Sequence, residues 1–347
     1  MIYVNARFLS QKVTGVQRFA RELSLRLAEI RDDIVFLVPP NCDVPEVFSL
    51  FKIEVVGGAG GHLWEQRDLV TYLKSKGNPL LINFCNTSPV FYSNKIITLH
   101  DTIYKHYPKS FSWKFRAFYN LFIPLMIHRR RAFLTVSEFS KKDISKIYDV
   151  SPSEITVVYN SVSDVFYKGN QKDSLGNSDK YLLAVSSPNL HKNFHGMISA
   201  FSTINYDIKL KIIGSKNNSF NAVDVPTDNR VTYMGRVSDN ELSDLYNNAH
   251  AFIFPSFYEG FGIPPLEAQA CDCPVISSDA ASLPEVLGDS ALYFDPYDIA
   301  DMADAMRKVI SDDELRDSLK IKGRENIKRF SWDTSAEKVN SVIEGLN

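Results

Sequence analysis

Two glutamates eight positions apart, Glu259 and Glu267, lie in the stretch SFYEGFGIPPLEAQACDCPVISSD (256–279), with two glycines and two prolines between them. Carboxylates this close in sequence can flank a bond as acid and base, provided the fold holds them roughly 5–9.5 Å apart. The intervening residues suggest a different chemistry. Gly260 and Gly262 let the backbone approach a ligand closely, and N–H groups beside a helix N-terminus favour an anion. Pro264 and Pro265 fit the start of that helix, where a missing N–H costs little. Glu259 to Gly262 then form the loop that follows the strand AFIFPS (251–256). Glu267 falls in the first helical turn, where a carboxylate also complements the helix dipole. A bare pair of glutamates at this spacing arises by chance, so other positions have to agree with it.

The elements that must position these residues read as two series of strands alternating with helices, the pattern of α/β layers with parallel sheets. The first series is IYVNA (2–6), DIVFLVP (33–39), PLLINF (79–84), KIITLHD (95–101) and AFLTVS (132–137). The second is KYLLAVS (180–186), KLKIIGS (209–215), RVTYMG (230–235), AFIFPS, PVISSD (274–279) and ALYFD (291–295). Between the first two strands, TGVQRFARELSLRLAEI (14–30) carries Val16, Phe19, Leu23 and Leu27 on one helical stripe. Ser238 with Glu241, and Ser151 with Glu154, match capping boxes at helix starts. The polar stretch 163–180 reads as a linker. The expected fold is therefore two doubly wound Rossmann-like domains, 1–165 and 176–330, with a ligand at the carboxyl ends of the strands in a cleft between them.

Bulk properties narrow the function. The chain has 347 residues, 44% apolar and 23% charged, with a formal net charge of −2. Its length accommodates two domains, and its charge balance lacks the basic excess of a nucleic-acid binder. No apolar run reaches the roughly 18 residues that span a bilayer, and no signal-peptide pattern is visible. Cys42, Cys85, Cys271 and Cys273 are sparse and read as buried thiols of a reducing compartment. The spacing of Cys271 and Cys273 has no further His or Cys nearby to complete a zinc site. A cytoplasmic protein without a metal is expected.

The string E-G-F-G-I-P-P-L-E-A followed by P-V-I-S-S-D resembles the signature of retaining nucleotide-sugar glycosyltransferases of family 4, which have the GT-B fold. The resemblance implies that Glu259 faces the donor sugar and Glu267 bonds the ribose hydroxyls. It places the backbone of Gly260, Phe261 and Gly262 against the sugar and phosphates. It also implies an Arg and a Lys for the leaving diphosphate in the loop of AVSSPNLHKNFHGMISAF (184–201). Lys192 matches the second of these. Ser186 and Ser187 stand where Gly-Arg is often found, which leaves Arg236 and His191 as candidates for the missing cation.

Further positions are similar to the same family. Thr14-Gly15-Val16 resembles the glycine loop that meets the donor diphosphate, although Thr14 also suits a plain N-cap. His100 and Asp101, ending ITLHD (97–101), match a strand-end His-Asp in which the histidine sits beside the transferred sugar. VTYMGR (231–236) resembles the segment along the nucleotide base, and Asn160-Ser161 the interdomain turn. HLWEQRDL (62–69) resembles a segment of bacterial polysaccharide enzymes, which puts Trp64, Glu65 and Gln66 on the acceptor side, together with Asp101. FSWDTSAEKVNSVIEGL (330–346) resembles the terminal helix that packs back on the first domain.

These features imply transfer of a hexose or deoxyhexose from a nucleotide diphosphate sugar to a glycan or polyprenyl-diphosphate-linked acceptor in O-antigen or capsule assembly. Mannose or rhamnose is the first expectation for the sugar. No Asp-x-Asp occurs in the chain, which suits a metal-independent enzyme without a cofactor. Glu259, His100 and Lys192 are the expected catalytic residues. Between Lys95 and Lys146 eleven Lys/Arg stand against three acids, interleaved with aromatics. Residues 95–146 thus suit an anionic membrane surface as well as a solvated helix face, and imply a peripheral position on the cytoplasmic face of the inner membrane. Three alternatives remain. A glycoside hydrolase or phosphorylase-like enzyme would use the two glutamates as its pair, and a scaffold would bind nucleotide sugar without catalysis. A dehydrogenase would need G-x-G-x-x-G after a strand, which is missing.

Overall fold

The computed structural model describes residues 1–167, 180–185, 189–214 and 228–346. They form two compact units, one made of Met1–Thr102, Phe111–Asn160 and Ser331–Asn347, the other of Ile103–Ser110 and Ser161–Phe330. The division falls between Asn160 and Ser161 rather than at 165. The part of the expected linker that is described, 163–167, already belongs to the second unit, where Phe166 is fully buried. Residues 168–179 of that linker lie outside the described residues, and its last residue, Lys180, is exposed just before the second unit's first strand.

Unit 1 holds a seven-stranded parallel sheet. Its strands are β1 (Ile2–Asn5), β2 (Ile34–Val38), β3 (Ile53–Val55), β4 (Leu81–Ile82), β5 (Lys95–Thr98), β6 (Ala132–Thr135) and β7 (Ile155–Val157), in the order β3-β2-β1-β4-β5-β6-β7. Every residue of β1 and β2 is buried, as expected of parallel strands covered on both faces. The order reverses between β1 and β4, so the loops leaving those two strands diverge from a shared crevice. β3 and β7 are not among the sequence-predicted strands. Each is three residues long at a sheet edge, too short to present a run of apolar residues.

Helix Gly15–Ile30 buries Phe19, Leu23 and Leu27 of the stripe read from the sequence, while Val16, its fourth member, is half-buried. Each such side chain contributes about 1.5–3 kcal/mol by leaving water. Helix Trp332–Glu344 packs against it within unit 1. Arg26 Nε lies 3.1 Å from Asp333 Oδ1, Arg31 donates to Asn340 Oδ1 at 2.7 Å, and the rings of Phe19 and Trp332 are 6.2 Å apart. Thr14 occupies the N-cap position but makes no cap bond; its hydroxyl donates to the Gln17 side chain instead.

Unit 2 holds a six-stranded parallel sheet, β8 (Tyr181–Val185), β9 (Lys209–Ile213), β10 (Val231–Gly235), β11 (Ala251–Phe254), β12 (Val275–Ser278) and β13 (Leu292–Phe294). Its order is β10-β9-β8-β11-β12-β13, which reverses between β8 and β11. All six correspond to sequence-predicted strands. Ser238 and Glu241 form the expected capping box at Asp239–Asn248. The second proposed box does not form: Pro152–Glu154 is a single 3-10 turn leading straight into β7, and Ser151 instead meets the Ser153 hydroxyl at 2.8 Å.

Ile103–Ser110 leaves unit 1 in sequence and packs in unit 2. There His106 stacks on Tyr258 with ring centroids 5.1 Å apart, and Tyr107 lies parallel to Phe257 at 6.2 Å. The Tyr107 and Tyr297 hydroxyls are 2.8 Å apart. This placement divides the basic stretch 95–146 between the two units. Lys95 leaves the surface altogether: it is fully buried with its ammonium on the Pro89 carbonyl, and burial pushes its pKa down to about 7.

Candidate functional site

Because β8 and β11 are neighbours at the reversal of strand order, the loops that follow them meet. The first carries Lys192 at the end of the 3-10 turn Leu190–Lys192, and the second carries Glu259. Lys192 Nζ lies 2.7 Å from Glu259 Oε1 and 2.9 Å from Oε2, joining residues 67 apart in sequence. Both side chains are largely shielded, 17% and 13% exposed. The loops are also tied by backbone, since Phe257 N–H donates to the His191 carbonyl at 2.8 Å. His191 is buried with Nδ1 3.1 Å from Ser110 Oγ. Burial and the adjacent Lys192 charge lower its pKa to about 3, so it is not a cation near neutral pH.

The loop of Glu259 is shaped from below. Ser282 Oγ donates to the carbonyls of Glu259 (2.9 Å) and Phe261 (3.0 Å), and Ser278 Oγ to that of Ser256 (2.6 Å). Gly262 has φ +98°, and a Cβ there would meet Leu283 Cδ2 at 2.7 Å. Only glycine satisfies both conditions without strain. Gly260 is buried beside it, and the Phe261 ring turns inward, edge-on to Phe330 at 5.5 Å.

Helix Ile263–Ala270 begins one residue before Pro264, so Glu267 lies beyond its first turn and is no dipole partner. Its carboxylate is buried, with the Tyr246 hydroxyl donating to Oε2 at 3.4 Å. Arg236 is exposed just past the end of β10, with β9 and β8 between that strand and β11. It shares the carboxyl edge of the sheet with Lys192 and Glu259 but does not contact them. Ser187, the remaining donor-side candidate, lies outside the described residues.

The candidates of unit 1 separate into different environments. His100 is 5% exposed and its Nε2–H donates to the Phe84 carbonyl at 2.9 Å, with the Phe19 ring edge-on at 4.8 Å. Burial lowers its pKa to about 4, against a smaller opposing effect of that hydrogen bond, and keeps it neutral. Asp101 is half-buried just after it. Trp64 is a core residue: it is fully buried, its indole N–H donates to the Val56 carbonyl at 2.7 Å, and it cannot line an acceptor surface. Gln66 is likewise structural, bonding the Ser88 carbonyl and the Val90 N–H. Glu65 is also buried, but in a polar network with Arg7, Asn5, Thr87 and His62. Gly15 opens helix Gly15–Ile30, between Thr14 and Val16, which line a cavity shared with Arg7, His62 and Thr87.

Sequence reading did not single out Ser282, Ser110, Arg7 or His62. Arg7 had a usable signal, being a cation two residues after a buried strand at the domain's first βα turn. Ser282 and Ser110 had none, since their partners are known only once the strands are ordered.

Family comparison gives two matches. Residues 13–165 match the model described as glycosyltransferase family 4, and residues 168–326 the model described as glycosyl transferases group 1. An O-antigen chain mannosyltransferase, RfbU of Salmonella typhimurium, is 29% identical over 98% of both chains. Among solved structures, a sucrose-phosphate synthase from Thermosynechococcus elongatus aligns with TM-score 0.79 at 17% identity over 99% of this chain and 98% of its own. HepE of Anabaena, in complex with UDP-glucose, aligns with TM-score 0.72 at 16% identity over 99% of each. These two structures share the fold with this chain.

Proposed function

The chain belongs to the family 4 glycosyltransferases and has their GT-B fold, and we propose that it transfers a mannosyl residue, with retention, from a nucleotide diphosphate sugar to a glycan or polyprenyl-diphosphate-linked acceptor in surface-polysaccharide assembly. The mannosyl assignment follows the O-antigen relative, whose likeness runs the length of both chains. The nucleotide-sugar donor follows the UDP-glucose complex of the structural neighbour.

The observation that carries the reading is the Lys192–Glu259 pair at the strand-order reversal of unit 2, on the loop held by Ser278 and Ser282. When the anomeric carbon–oxygen bond breaks, negative charge grows on the departing phosphate and positive charge on the sugar. Lys192 stabilises the first and Glu259 the second, from positions fixed beforehand. The acceptor oxygen forms the new bond on the face the phosphate leaves, and its proton passes to that phosphate. Glu267 bonds the ribose hydroxyls. No cofactor or metal takes part, in keeping with the missing Asp-x-Asp. A hydrolase reading fits less well, because Glu259 gives both oxygens to Lys192 and Glu267 faces Tyr246.

Peripheral contact with an anionic membrane on the cytoplasmic face belongs to the same proposal. Helix Trp113–His128 leaves Trp113, Leu121 and Leu125 exposed, with Lys114, Arg116 and Arg129 exposed on it and just beyond it. No helix among the described residues is long and apolar enough to cross a membrane.

The direct test is incubation with GDP-mannose in EDTA, with and without octyl pyranoside acceptors, reading product stereochemistry by the one-bond coupling between the anomeric carbon and its proton. An α-linked product from the α-linked donor supports the proposal. An inverted product, or free mannose released at the same rate without acceptor, overturns it.

A further inference from the structure

The segment Ile103–Ser110, which packs within unit 2, reaches both loops that carry the Lys192–Glu259 pair. It holds its own shape. Tyr107 N–H donates to the Ile103 carbonyl at 2.8 Å, and Ser110 N–H to the Tyr107 carbonyl at 3.0 Å. Pro108 opens the second of these turns, where its ring fixes the backbone and its missing N–H costs little.

At one end of the segment, Ser110 Oγ lies 3.1 Å from Nδ1 of His191, the residue directly before Lys192. The turn Leu190–Lys192 has two further anchors. The His191 carbonyl accepts from Phe257 N–H, and Asn193, directly after the turn, donates from Nδ2 to the Pro296 carbonyl, both at 2.8 Å. Those two fix the backbone of the turn and its exit, whereas Ser110 fixes the ring. Because His191 is neutral, a directional hydrogen bond and not charge sets that contact.

At the other end, His106 stacks on Tyr258, the residue directly before Glu259, with ring centroids 5.1 Å apart and planes inclined by 28°. Tyr258 is itself buried, so its ring is closely confined once that face is covered. Between the two ends, Tyr107 completes a set of three rings. It lies parallel to Phe257 at 6.2 Å, Phe257 stacks on Tyr297 at 4.6 Å, and the two tyrosine hydroxyls are 2.8 Å apart. One rigid segment thus holds the residue preceding each member of the ion pair.

Resting on the glycosyltransferase reading and deepening it, we propose that Ser110 and His106 are positioning residues for the transfer step, Ser110 holding Lys192 through His191 and His106 holding Glu259 through Tyr258. A misplacement of about 1 Å near reacting groups can cost about a hundredfold in rate, so loosening either neighbour is felt in turnover. The two arms differ in what else they affect. Lys192 serves the departing phosphate, which GDP retains, whereas Glu259 serves the sugar, which GDP lacks. Loosening Ser110 therefore weakens GDP binding as well as turnover, and loosening His106 weakens turnover alone.

The test uses the full chain with GDP-mannose and octyl pyranoside acceptors, with GDP affinity read by calorimetry. Ser110→Ala should weaken GDP binding and lower kcat, each about three- to tenfold. Ser110→Thr, which keeps the hydroxyl, should restore most of both. His106→Ala should lower kcat about five- to tenfold while GDP affinity stays within about twofold, and His106→Phe, which keeps a ring on Tyr258, should restore it. In a Lys192→Met background, Ser110→Ala should change GDP affinity by less than about twofold, because residues that act through one another are not additive. Equal losses from Ser110→Ala in both backgrounds, the same pattern of losses from the two alanine variants, or no recovery with Thr and Phe would each overturn the assignment. Alanine variants that lower only the urea midpoint would overturn it too, as the mark of a merely structural role. An unaltered protein that neither binds GDP nor transfers mannose would instead overturn the glycosyltransferase reading, and this assignment with it.

Discussion

Lys192 and Glu259 form a closed ion pair, with Nζ 2.7 and 2.9 Å from the two carboxylate oxygens and both side chains mostly shielded from water. An ammonium that serves a departing phosphate has to trade that carboxylate for it. Glu259→Gln should therefore leave GDP affinity unchanged or raise it, by freeing Lys192, while lowering kcat at least a hundredfold. Lys192→Met should lower both GDP affinity and kcat. Titration calorimetry and initial rates separate the two, and parallel losses in both variants would contradict this division of roles.

Ser282 is fully buried, and its single hydroxyl serves two carbonyls of the Glu259 loop. Ser282→Ala leaves those acceptors without that donor, at a cost of about 1–3 kcal/mol. The expected outcome is a lower midpoint in urea together with a weakened donor KM. A stable variant with unaltered KM would show that the loop keeps its shape unaided.

Gly262 combines a left-handed φ of +98° with a neighbour 2.7 Å from where a Cβ would stand. Gly262→Ala should destabilise by about 2–3 kcal/mol, within the range for strain and overpacking. Adding Leu283→Ala removes the clash but not the backbone strain. Leu283 is fully buried and its truncation has a cavity cost of its own, so the reference is Leu283→Ala alone: against it, Gly262→Ala should still destabilise by about 1–3 kcal/mol in thermal melts, the backbone strain by itself.

His100 is neutral in the fold, with its pKa lowered from 6.5 to about 4 chiefly by burial. Between those values the unfolded chain binds the proton and the folded chain does not, so stability rises with pH across the window. Acidification from pH 6.5 to 4 should cost about 3 kcal/mol from this residue. His191, lowered to about 3 by burial and Lys192, acts in the same direction. His100→Gln, which retains a donor for the Phe84 carbonyl, should flatten the pH dependence measured by chemical denaturation.

The exposed Trp113 and Leu121, beside Lys114 and Arg116, define a membrane test. The protein should float with vesicles containing phosphatidylglycerol and stay behind with neutral ones. Lys114→Glu with Arg116→Glu should weaken flotation severalfold. Equal binding to both vesicle types would remove the electrostatic part of that proposal.

The sequence was most readable where a strand is buried on both faces. β2 and β11 are unbroken apolar runs and buried throughout, whereas β3 and β7 are three-residue edge strands interrupted by Glu54 and Thr156. The site was readable by residue type but not by partnership. Glu259 and Lys192 stood out singly, yet their pairing depends on β8 and β11 being neighbours, which strand order alone supplies. Trp64 and Glu65 show the limit at finest scale: adjacent on one π turn, the first fills the core and the second anchors a polar network.

Helix Trp332–Glu344 packs on helix Gly15–Ile30, yet more than 300 residues separate them along the chain. During synthesis, the apolar stripe of Phe19, Leu23 and Leu27 emerges early and must wait for this cover until the strands of both sheets have been translated. Unit 2, nearly contiguous from Ser161 to Phe330, is free to close first. A nascent chain arrested before residue 332 would thus expose a greasy helix, the segment for chaperones to guard and for proteases to find.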